Sequence, residues 1–166
     1  MAEGEFALVS QAAETALQTS SEWIGDHDLY AVLADAAAQA GDAVALRRYA
    51  PLAEETAAHY GHTLYAAVAH RAWGVAHRLA GEVTKAETRL LRALELFRAL
   101  DTRWQIGRTL FELGELALAR SNTAMARDNY ERALQAFLAV KAAPDEVRTR
   151  AVLERLRNPK ANAPAS

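Results

Sequence analysis

Apolar residues along this chain fall at three- and four-residue steps. Leu90, Ala93, Leu94 and Phe97 make one such set, and Tyr130, Ala133, Leu134 and Phe137 make another forty residues later. That spacing marks one face of an α-helix, and no stretch shows the strict alternation of a half-buried strand. The forty-residue offset also carries Gly74 to Gly114 and Ala86 to Ala126. It extends backwards, with Gly41 forty before Gly81, Ala53 forty before Ala93 and Ala13 forty before Ala53. Self-similarity at a fixed period means that one helical unit, unable to bury its apolar face alone, stacks on copies of itself. The expected class is therefore all-α, with antiparallel helix pairs stacked as a solenoid.

Helix breakers divide the comb. Gly41-Asp42, Gly81-Glu82 and Ser121-Asn122 read as three copies of one tight turn, a left-handed residue followed by an acidic or amide residue able to cap the next helix. The other joints fall at Thr19 to Trp23, Tyr60 to Thr63, Leu100 to Arg103 and Lys141 to Pro144. Thr102 with Gln105 reads as a capping box, and Pro144 suits a first helical turn. A single domain over 3–157 follows: a lone second helix at 3–19, helix pairs at about 25–59, 64–99 and 103–140, and a capping helix at about 144–157. Residues 158–166, with Pro159 and Pro164, read as a flexible tail. Gly74 and Gly114 are expected to face Ala86 and Ala126 where paired helices cross closely.

Composition narrows the function. Alanine supplies 39 of 166 residues, which favours helices in close contact. A net charge of -2 and a pI of 6.2 give no electrostatic case for nucleic acid. Cysteine is absent, excluding disulfides and thiolate metal sites. No long uncharged apolar run occurs and the first residues are acidic, so a cytoplasmic protein with no membrane contact is expected. No phosphate loop, serine elbow or zinc-protease pattern is present, and the expectation is a non-enzyme without cofactor or metal.

Trp73-Gly74, Gly81, Ala86, Leu90 and Ala93, then Leu113-Gly114, Ala126, Tyr130 and Ala133, resemble the tetratricopeptide repeat. The resemblance covers about residues 3–157 and implies a right-handed superhelix that binds other proteins. The unit is forty residues instead of thirty-four, and the proline that usually closes the second helix is missing near Arg98 and Leu138. Forty-residue units are similar to those of the C-terminal regions of large bacterial ATP-dependent transcription regulators of the maltose-regulator type. That likeness implies a signalling role, or an effector-sensing module for small molecules as the alternative.

The resemblance places a ligand groove along the first helices of the pairs. Carried over by alignment, its lining includes Asp28, Asp35, Arg71, Val75, Arg78, Arg108, Phe111, Glu115, Arg148 and Arg155. The arginines would pair with carboxylates of a bound peptide or helix, and an exposed Phe111 would lie beneath an apolar side chain. The plainer reading gives these arginines partners within the chain, such as Asp35 and Glu115. Arg71 and Val75 replace the Lys and Asn of the family's chaperone-tail clamp, so that ligand is not implied. His77 stands where the family places a packing tyrosine, and a buried, hydrogen-bonded imidazole is expected there. Phe6, Leu8, Val9 and Leu17 leave helix 3–19 more apolar than a good cap, which suggests a homodimer through that helix.

Overall fold

The computed structural model describes Leu8 and residues 11–16 and 26–158. Seven helices have both ends defined: α1 (Asp26–Ala40), α2 (Ala43–His59), α3 (Thr63–Leu79), α4 (Val83–Ala99), α5 (Arg103–Ala119), α6 (Thr123–Ala139) and α7 (Ala143–Arg157). A helical stretch at 11–16 precedes them, and no strand occurs among the described residues. The fold is all-α and built of antiparallel helix pairs. Trp23, Phe6, most of the expected helix 3–19 and all but Asn158 of the expected tail lie outside the described residues.

The joints follow one geometry at a spacing of twenty residues. A left-handed residue stands at Gly41, Gly61, Gly81, Asp101, Ser121 and Lys141, with φ between 48° and 74°. At five of the six, the next amide reaches back to a carbonyl in the last turn: Asp42 to Ala37, His62 to Ala57, Glu82 to His77, Asn122 to Ala117 and Ala142 to Phe137, at 2.9–3.0 Å. This closure satisfies carbonyls that a helix end otherwise leaves open. Glycine accepts the left-handed backbone without steric cost in the first three joints, whereas a Cβ is strained there in the last three.

The caps differ between copies. Asp42 accepts from the amides of Val44 and Ala45, and Asn122 accepts from Met125. Glu82 and Thr102 make no side-chain cap, contrary to the sequence reading. The Glu82 carboxylate is taken instead by His77 and Lys85. Pro51 lies inside α2, where its ring removes the amide that would bond the Arg47 carbonyl.

The chain clusters into two compact units, Met1–Leu100 and Asp101–Ser166. In the first, α1 packs on α2 and α3, α2 on α3, and α3 on α4. Its core gathers Leu33, Leu46, Tyr49, Ala53, Ala69 and Val75, and Ala13 of the N-terminal stretch joins them. In the second, α6 packs on both α5 and α7.

The close approaches in both units rest on glycine. A Cβ on Gly74 would stand 2.6 Å from Leu90, and one on Gly114 would stand 2.7 Å from the Tyr130 ring. The residue four beyond each alanine is long enough to seat itself over the glycine, so the atoms nearest each glycine belong to Leu90 and Tyr130. Gly107 admits Phe137 in the same way, with a Cβ 2.7 Å from its ring.

Candidate functional site

In the first unit α1 and α3 lie side by side, and polar residues tie them. Arg71 donates from Nη2 to Asp35 Oδ1 at 2.7 Å, with its side chain 1% exposed. Its guanidinium lies 5.0 Å from the centre of the Phe97 ring, and Gln39 donates to the other Asp35 oxygen. The Tyr65 phenol is pushed up to about 12 by its hydrogen bond to Asp28 and by burial. Asp28, Asp35 and Arg71 therefore serve the packing of one first helix on the next. Val75 is a core residue, fully buried, and Arg78 is half-buried.

A second polar cluster occupies another stripe of α3, where His70, Trp73 and His77 fall at helical spacing. The His77 ring stacks on Trp73 with centroids 5.5 Å apart, and its Nδ1 lies 2.5 Å from Glu82 Oε2. The imidazole is hydrogen-bonded, as expected, but only partly buried. Arg89 of α4 pairs with Glu54 of α2 and lies 2.9 Å from His70 Nδ1. Burial, reinforced by the Arg89 charge, pushes the His70 pKa down. Sequence reasoning missed this Glu54–Arg89–His70 set. A signal was present, because Glu54 lies forty residues after Glu14, which binds Tyr49 and Arg48 in the same manner.

In the second unit α5 and α7 are joined through aromatic rings. Trp104 Nε1 donates to Asp145 Oδ2 at 2.8 Å, and the Arg108 guanidinium lies 4.8 Å from the Trp104 ring centre. Phe111 meets Tyr130 edge-on at 5.1 Å, and the Tyr130 hydroxyl donates to Glu115 at 2.7 Å. Arg148 of α7 spreads over Phe111 with its guanidinium carbon 4.1 Å from the ring centre.

These contacts correct the expected exposure of Phe111, which is 4% exposed because Tyr130 and Arg148 cover it. Arg108 is also buried, whereas Arg148 and Arg155 are exposed. Arg155 donates from Nε to the Ala151 carbonyl at 3.3 Å. The alignment places Arg148 and Phe111 as separate lining positions, whereas the structure pairs them. No group of three or more metal-ligating side chains is found among the described residues. No described helix is long and apolar enough to cross a membrane.

Comparison with known proteins agrees with this architecture. A crystal structure of BtubC (BKLC) from P. vanneervenii is similar with a TM-score of 0.59 at 21% identity, covering 99% of this chain and 78% of that one. At that identity the likeness concerns the fold alone. No curated protein matches the chain by sequence. Tetratricopeptide repeats generally mediate protein–protein interactions and are generally non-catalytic. Residues 65–139, which hold the Gly74–Leu90 and Gly114–Tyr130 contacts, match the tetratricopeptide repeat family.

Proposed function

We propose that the chain is a non-catalytic scaffold that holds a peptide or helix of a partner protein, and that α5 and α7 carry part of the binding face. The observation that supports this most is Arg148. It is exposed, takes part in no ion pair among the described residues, and is held over Phe111. An arginine fixed by an aromatic ring has lost part of its rotamer freedom before binding, so less entropy opposes a bond to an incoming carboxylate. Arg155 lies seven residues on, two helical turns along the same side of α7. Together they favour a partner segment that carries acidic side chains.

The buried arginines enter this reading differently. Arg71 and Arg108 position the rings and helices around them, and their replacement would disturb the fold before it tested binding. The informative variant is Arg148→Glu with Arg155→Glu, read by pull-down from the protein's own cell extract beside the wild type. A partner captured by the wild type and lost from the variant at equal helicity is the expected result. Equal capture by both removes α7 from the site.

A further inference from the structure

At the last turn of α3 the surface opens into a cavity of about 250 Å3 lined by Trp73, His77, Ala76, Ala80, Arg47 and Glu82, among others. The stacked Trp73 and His77 rings, 20° from parallel, both contribute to its lining, so part of the cavity is walled by aromatic side chains. Among the described residues the buried Trp73 Nε1 has no hydrogen-bond partner, and the indole is held by packing, by its stacking on His77 and by the Arg89 guanidinium 5.8 Å from its ring centre. The alanines are too small to crowd what lies against that wall.

Charge around the cavity is unbalanced. Glu82 is already engaged by His77 and by Lys85 at 2.8 Å. Arg47, by contrast, is exposed on α2 and joins no ion pair or hydrogen bond among the described residues through its side chain. A second depression of about 320 Å3, which also touches His77, is lined by Thr84, Lys85, Thr88 and Arg89, and its two cations are paired with Glu82 and Glu54. The first cavity is smaller than the roughly 300–1,000 Å3 of pockets for drug-sized ligands, so its occupant is a single small ring system.

We propose that this cavity is a binding site for a small planar aromatic carboxylate, with its ring against Trp73 and His77 and its carboxylate on Arg47. The site shares no residue with the α5–α7 face and does not depend on the scaffold reading. An aromatic ring supplies the apolar contact and the guanidinium fixes orientation through a charge-assisted bond.

The test uses sodium benzoate and benzamide, which have the same shape and differ in charge. Each is titrated into the full chain while the Trp73 indole N–H and the Ala76 and Ala80 amides are followed by NMR. Benzoate should give saturable shifts confined to those signals, with benzamide weaker by about tenfold, or ~1.4 kcal/mol. Arg47→Ala should lower benzoate to the benzamide level at unchanged helicity, and Arg47→Lys should restore part of the difference. Equal response to both probes, absence of saturation, or full benzoate binding by Arg47→Ala would overturn the proposal.

Discussion

Arg71 and Asp35 stand 36 residues apart and meet at 2.7 Å, so a buried guanidinium joins α1 to α3. Removing the carboxylate leaves a buried cation short of its strongest acceptor. Asp35→Ala should lower stability by about 1.5 to 3 kcal/mol, the range for hydrogen bonds to charged groups. Urea unfolding checks this, and an unchanged midpoint would show that the pair contributes no net stability.

Glycine at 114 is a matter of space. Alanine there would improve helix propensity by about 1 kcal/mol, yet its Cβ would meet the Tyr130 ring at 2.7 Å. Overpacking costs typically about 1 to 3 kcal/mol, so Gly114→Ala should be net destabilising. A rise in thermal midpoint would contradict the contact.

At Lys141 the balance is reversed. Its φ is 56° and its side chain is exposed, so nothing but the backbone defines the position. Lys141→Gly relieves about 1 to 2 kcal/mol of left-handed strain and adds back about 0.4 to 1 kcal/mol of unfolded-state entropy. A small gain in stability is expected in denaturant melts, while Gly61→Ala should lose stability.

Much of this fold could be read from the chain because its cause is repetitive. The comb at Gly74, Leu90 and Phe97 recurs at Gly114, Tyr130 and Phe137, and a helix period repeated across copies has one packing solution. The left-handed joints at Asp101 and Lys141 were less visible, since their residue types do not announce a positive φ as Gly41 and Gly81 do. The candidate site was legible only as a set of positions. Which arginine is buried depends on partners about 36 residues away, and charge alone does not separate Arg71, paired with Asp35, from Arg148, spread over Phe111. Alignment gives the side of a helix on which Phe111 stands, not the Arg148 side chain that α7 lays over it.

The pH response has a definite sign at both ends. His70 has a lowered pKa in the folded state, so the unfolded chain binds its proton more readily. Its contribution is present above the ordinary histidine value and is lost as pH falls from about 6.5. Tyr49 and Tyr65 are raised from 10.0 to about 12, Tyr49 chiefly by burial and Tyr65 chiefly by its bond to Asp28. Their contribution is full below the unfolded value and is lost as pH rises toward the folded one. Urea midpoints should fall on both flanks; His70→Gln should flatten the acidic limb and Tyr65→Phe part of the alkaline one.

The scaffold reading is tested most directly by a hydrogen-exchange footprint of the captured partner on this chain. Bound partner should slow exchange in α5 and α7 around Phe111 and Arg148, and the Arg148→Glu, Arg155→Glu variant should lose that protection. Protection that falls elsewhere while residues 103–157 exchange as in the free protein would contradict the account.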